Sequence, residues 1–212
     1  EAYFLRALAH LDAARRFARP YTNRNANPTG ANTGIPVVTE TVKDPGNFKP
    51  ERNTLAETYT AIIEDLKRAQ ELAPNMASGS AEVYRGSKDA ASALLARVYL
   101  YMGRYEDCVT EASKIISKYP LWTVENIATA YSGNNTSEEI FTLKFKSTEG
   151  TGADNFGQMY NNPSIGYGDI RPTDAFRALL ASNDVRNVFI ESRAGAFFLT
   201  KFAGNTAEAA DG

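Results

Sequence analysis

The stretch Leu94–Val109, LLARVYLYMGRYEDCV, sets a glycine between two runs of helical periodicity. A glycine inside one helix costs about 1 kcal/mol relative to alanine. Just past a helix end, a glycine takes positive φ without steric cost and lets the chain reverse. Gly103 is therefore read as the bend of a helical hairpin that joins Ser87–Met102 to Tyr105–Lys118. Ser87 stands where it can cap the first helix, with Asp89 in the first turn. A chain built on such hairpins is confined to folds in which paired helices stack on one another.

Two further helices precede the hairpin. Thr54–Ala73 opens on TLAE, a capping box in which Thr54 accepts from the amide of Glu57 and Glu57 reaches back. Leu55, Tyr59, Ile62, Ile63, Leu66 and Ala69 form its buried stripe, and Pro74 ends it. Glu1–Arg19 carries Phe4, Leu8 and Leu11 with Ala2, Leu5 and Ala9, a broad apolar face ended by Pro20. Between these helices lies an irregular stretch, residues 21–52, rich in Pro, Gly and Asn. A loop this long inside a domain is functional or flexible more often than accidental. Within it, GIPVVTE (Gly34–Glu40) is an extended piece able to pack on the helices.

Helical pairs invite comparison with known repeats. The tetratricopeptide pattern fits around Gly103. Leu95 and Ala96 take its leucine and small positions and Tyr99 its aromatic position. Tyr105 follows the turn, Cys108 takes the small position of the second helix, and Pro120 closes the unit. Ala112 and Ile115 depart from it, as if a large and a small residue had changed places. Tyr59, Tyr99, Tyr101, Tyr105 and Tyr119 lie at helical spacing and are expected mostly in the core, with Trp122 packed against the repeat.

Beyond Pro120 the pattern changes. EIFTLKFK (Glu139–Lys146) alternates in the manner of a strand. A loop rich in Gly, Asn and Tyr follows over Ser147–Pro172. Then comes a helix over about Thr173–Ala181 with Phe176, Leu179 and Leu180 inward. NVFI and AFFLTKF read as two strands joined by ESRAG.

Several chemistries are excluded by composition. With 23 Lys and Arg against 25 Asp and Glu, net charge −2 and no basic run, nothing attracts a polyanion such as nucleic acid. One cysteine and one histidine leave no disulfide, no cysteine zinc site and no multi-histidine metal site. His10 lies mid-helix without a nucleophile motif, and Cys108 reads as packing. The carboxylate pairs Glu64/Asp65, Glu106/Asp107 and Glu138/Glu139 have ordinary helical or pre-strand roles and do not suggest glycoside hydrolysis. STEGTGAD lacks the Lys-Ser/Thr of a phosphate loop, and Asn134 and Asn135 of NNTS read as turn residues.

Sugars stack their C–H faces on flat aromatic rings while amides and acids bond their hydroxyls. The loop after the expected strand holds that chemistry. Phe156, Tyr160 and Tyr167 stand among Asn155, Gln158, Asn161 and Asn162. The candidate ligand-binding set is Phe156, Tyr160, Asn161, Asn162 and Tyr167; the same aromatics could equally anchor the loop to its scaffold.

Five segments, in order along nearly the whole chain, resemble the SusD/RagB-like outer-membrane nutrient-binding lipoproteins. They are EAYFLRALAHLDAARRFARPY with GIPVVTE, TLAETYTAIIEDLKRAQELAP, GSKDAASALLARVYLYMGRYEDCVTEASKIISKYPLW, SEEIFTLKF and DAFRALLASNDVRNVF. The resemblance implies a mainly α fold, a tetratricopeptide-like α-α superhelix with long loops and a few short strands. It places a helical scaffold over 1–122 and an irregular region over 123–212, both parts of one domain that continues beyond this sequence. It also implies non-catalytic glycan binding at the cell surface for uptake through a SusC-type TonB-dependent porin, with no cofactor. The membrane attachment would be a lipid anchor outside this segment. Peptide binding in the groove of a helical scaffold is the alternative, and a glycan-acting enzyme a more distant one.

Overall fold

The computed structural model describes residues 1–129, 137–143, 156–164 and 166–202, with only the backbone of 128, 129 and 156. The chain divides into two compact units. The first comprises Glu1–Ala77 and Arg85–Tyr119, the second Ser78–Tyr84 and Pro120–Gly212.

The first unit is a stack of four helices in sequence order: α1 (Ala2–Phe17), α2 (Leu55–Leu72), α3 (Lys88–Tyr101) and α4 (Tyr105–Ser113). Each packs on the next, as the repeat pattern requires. The capping box of α2 forms as expected, with Thr54 accepting from the Glu57 amide and Glu57 bonding the Thr54 amide. Ser87 caps α3 by accepting from the amide of Ala90. The expected stripe of α2 is buried throughout, and Leu55, Ile62 and Leu66 are wholly out of solvent. Burying each such side chain contributes about 1.5–3 kcal/mol.

The bend is at Gly103, whose φ is +72°. Its neighbour Arg104 donates its amide to the carbonyl of Tyr99, a bond that closes the end of α3. A Cβ on Gly103 would also meet the Thr22 methyl at 3.2 Å. Arg104 spreads its guanidinium over the Tyr99 ring, 4.5 Å from its centre, and pairs with Asp107 in the first turn of α4.

Polar networks tie the layers together. Gln70 of α2 donates to Ser92 of α3 and to Glu111 of α4, each at 2.7 Å, and Lys114 covers the other oxygen of Glu111. Asp89 accepts from Lys118 and from the Tyr119 hydroxyl. Burial, with Asp89 beside it, pushes the Tyr119 phenol up to about 12.

The long loop between α1 and α2 is strapped down rather than free. The Ile35 amide donates to the Thr58 hydroxyl, Val37 to the Asn53 side chain and Val38 to His10. Arg6 donates to the Thr39 carbonyl while clamping Asp65 through two bonds of 2.7 and 2.6 Å. Gly34 is required by proximity: a Cβ there would lie 2.2 Å from the Thr58 hydroxyl and 2.5 Å from the Thr54 carbonyl.

Several expectations are corrected. The buried stripe of α1 is Phe4, Ala7, Leu11 and Ala14, narrower than the expected face, and Leu5 is 43% exposed. α4 stops at Ser113 and gives way to turns. Tyr105 is 66% exposed, because it is the first residue of α4 and projects beyond the α3 contact. Ile115 is buried and Ala112 half-buried, so the large residue of the swapped pair does fill the core.

In the second unit, residues 139–143 are irregular, and the Thr142 amide bonds the Val83 carbonyl. The remainder of the expected strand, 144–146, lies outside the described residues, as do Asn134, Asn135 and STEGTGAD. The short helices α5 (Phe156–Tyr160) and α6 (Asp174–Ala178) follow. α6 is capped by Thr173 but is only five residues long, so Leu179 falls past its end and is 80% exposed, while Phe176 is 45% exposed. Val185–Phe189 is a 3-10 turn capped by Asp184. The antiparallel hairpin therefore starts later than expected, with β1 (Ile190–Arg193) and β2 (Ala196–Leu199) in the register Glu191 opposite Phe198. Its reversal is the pair Ala194-Gly195, both with positive φ, which matches the twist of a two-residue hairpin turn.

Replacing Gly103 by Val should destabilise the chain by about 1 kcal/mol or more, since a branched residue is forced to positive φ against Thr22. Thermal denaturation reads this directly; an unchanged melting temperature would contradict the hairpin geometry.

Candidate functional site

The loop after α5 is knitted to the hairpin by its asparagines. Tyr167 donates its amide to the Gln158 carbonyl at 2.6 Å, Gly166 to the Asn162 carbonyl and Ile170 to that of Met159. The side chain of Asn162, 1% exposed, donates to the Glu191 carboxylate at 2.7 Å. Its oxygen accepts from the Ser164 amide and from Arg193. Asn161, 2% exposed, donates to the Phe202 carbonyl at 2.7 Å, and its side-chain oxygen is buried without a partner. Both amides that sequence reasoning offers to sugar hydroxyls are thus turned inward to hold the loop.

The aromatic members of the candidate set part company. Tyr160 is half-buried and forms part of the wall of a cavity of about 470 Å³ within the second unit. Tyr167 is 51% exposed and stands apart from that wall. The side chain of Phe156 lies outside the described residues. Around Tyr160 the cavity gathers Phe176, Phe189 and Phe202, with Arg186 and Lys201 as its charged members. Sequence reasoning did not find this cavity. Its walls come from the 3-10 turn at Val124–Thr129, α5, α6, the turn before β1 and the end of β2, and no local pattern links them.

The charges at the cavity are partly committed. Arg186 clamps Asp184 through Nε and a terminal nitrogen at 2.9 and 2.6 Å. These bonds, with the Arg186 amide, hold the Asp184 carboxyl at about 2. The Lys201 ammonium sits 5.4 Å from the centre of the Phe202 ring. On β2, whose successive side chains face opposite sides, the Arg177 guanidinium lies 3.4 Å from the centre of Phe197, and Arg171 lies over the buried Phe198 ring. Such stacking fixes the ring faces of β2 from outside.

The cavity combines flat aromatic faces with two charged members, Arg186 and Lys201. No group of three or more His, Cys, Asp or Glu able to hold a metal occurs among the described residues. Of the carboxylate pairs noted in the sequence, Asp65 is clamped by Arg6 and Asp107 by Arg104. No helix among the described residues is long and apolar enough to cross a membrane.

Comparison with known proteins agrees with this architecture. The model of a SusD-like family, described as starch-binding and associating with the outer membrane, matches residues 1–100. A solved structure described as a candidate sugar-binding protein from Bacteroides vulgatus is 30% identical, with a TM-score of 0.76 over 99% of this chain and 47% of that one. A SusD superfamily protein from Bacteroides thetaiotaomicron is 27% identical, with a TM-score of 0.76 over 99% of this chain and 49% of that one. A laminarin-binding SusD-like protein shares the fold at 20% identity, with a TM-score of 0.69 over 97% of this chain and 51% of that one. The chain spans about half the length of the structures it matches. No curated protein matches it.

Asn162→Ala should strip the Glu191 and Arg193 side chains of a shared buried partner. A loss of about 1–3 kcal/mol is expected, seen as a lower unfolding midpoint in denaturant. A midpoint equal to the parent's would mean the loop is held by other contacts.

Proposed function

From the premise that the chain belongs to the SusD-like family, we propose that it binds glycan at the bacterial cell surface without altering it. The bound oligosaccharide would then pass to a partner TonB-dependent porin of the SusC type. The protein would be held at the outer membrane by a lipid anchor.

The observation that carries the reading is the likeness, along 99% of this chain, to a Bacteroides protein described as sugar-binding. The family description, starch-binding and associating with the outer membrane, points the same way. An aromatic cavity in the second unit supports the reading. Tyr160 belongs to the wall of an aromatic cavity, and Tyr167 stands exposed on the same loop. Flat rings of this kind stack on the C–H faces of pyranoses. Asn161 and Asn162 contribute by holding the loop in shape, their side chains being bonded to Phe202 and to Glu191 and Arg193. Binding without hydrolysis is supported by the family description, which names starch binding.

The test is isothermal titration of oligosaccharides against Tyr160→Ala and Tyr167→Ala, with the fold checked by circular dichroism. Loss of a stacking ring should weaken binding by about tenfold, from about 1.4 kcal/mol. Unchanged affinity in both variants would remove this loop as the site. Binding of peptides in place of sugars would favour the groove of the helical scaffold.

A further inference from the structure

We propose that His10 is a pH-sensitive latch, holding Val38 in the middle of the Val37–Thr39 strap against α1 when neutral and releasing it when protonated. The argument rests on which atoms of the imidazole are in use. Nε2 accepts the Val38 amide at 3.3 Å. An acceptor nitrogen carries no hydrogen, so the imidazole is neutral with its proton on Nδ1. That Nδ1 is buried and has no hydrogen-bond partner. Protonation therefore has one place to go, Nε2, and there it sets an N–H against the Val38 N–H. The latch bond is lost, and the new positive charge has no acceptor to stabilise it.

The charged surroundings do not rescue the imidazolium. The groups facing His10 are Arg6, one turn away on α1, and Asp65 on α2. Asp65 is already bound through both oxygens by Arg6. The strap residues Ile35 to Thr39 include no titratable side chain. Burial lowers the pKa of His10 from the ordinary 6.5, outweighing the opposing pull of Asp65. For a base whose pKa is depressed in the latched form, the latch is fully effective above the free value. It weakens as pH falls below about 6.5 and is lost below the latched value.

The consequence is local. Val37, Val38 and Thr39 form one wall of a second cavity of about 660 Å³, completed by Val42, Phe48 and Pro50 of the same loop. Releasing Val38 loosens that wall, while Arg6 still holds the Thr39 carbonyl and Asn53 the Val37 amide. Acid would reshape this loop without unstacking the helices beneath it.

The test is hydrogen exchange of single amides by NMR in the whole chain between pH 7.5 and 5, corrected for the intrinsic rate. If His10 binds a proton only when released, latch opening at pH 5 rises by at most about thirtyfold. A several-fold loss of protection at Val38 is expected, with Leu95 in α3 unchanged. In His10→Gln the side-chain oxygen can accept but cannot titrate, so Val38 protection, whatever its level, should be flat with pH. Flat protection in the parent, an equal loss at Leu95, or the same pH dependence in His10→Gln would each overturn the latch.

Discussion

Everything in the first unit depends on α3 being buried on two sides. It packs against α2 on one side and α4 on the other, so its sequence must suit two neighbours at once. Ala90, Ala91, Ser92 and Ala96 keep it thin, while Leu94, Leu95, Val98 and Tyr99 fill the space on either side. A helix enclosed in this way has few positions left for charge. Asp89, the buried exception, is answered by Lys118 and Tyr119. Ser92, also buried, sits in the network that Gln70 and Glu111 complete. Each of these polar groups would be expensive to bury alone, and the bonds from Gln70 to Ser92 and to Glu111 cross between layers. The stack is therefore held by area and kept in register by the networks.

The loops follow from the same economy. Residues 21–52 do not hydrogen-bond as a helix or sheet, so their backbone borrows partners from the helices, Thr58, His10 and Arg6, and from Asn53 just before α2. The second unit solves the problem with asparagines. Asn161 and Asn162 take up the bonds that a regular element would otherwise supply to the loop after α5. That anchoring leaves Tyr160 at the cavity and Tyr167 in solvent.

The helices were legible because period and caps speak through local residues. The TLAE box, the Ser87 cap and the positive φ of Gly103 all appear in the structure as the residues indicate. Where a face depends on which neighbour is present, periodicity misleads. Leu5 and Tyr105 satisfy the spacing yet lie in solvent. Near the C-terminal hairpin the error has a different origin. Asp184 caps a 3-10 turn that consumes NVF, and Glu191–Arg193 join the strand instead of the turn. The cavity was not legible at all, since Ile127, Tyr160, Phe176, Phe189 and Phe202 meet only after five separate segments fold. The candidate asparagines were assigned to ligand binding, yet their side chains bond within the protein, because an amide in a sequence does not reveal whether it faces a ligand or its own chain.

The most direct measurement of the central claim is retardation of the full-length protein in native gels cast with a panel of polysaccharides. Slowed migration in at least one glycan, with no shortening of that glycan on prolonged incubation, is the result the account predicts. Unaltered migration across the whole panel, or release of sugar products, would contradict it.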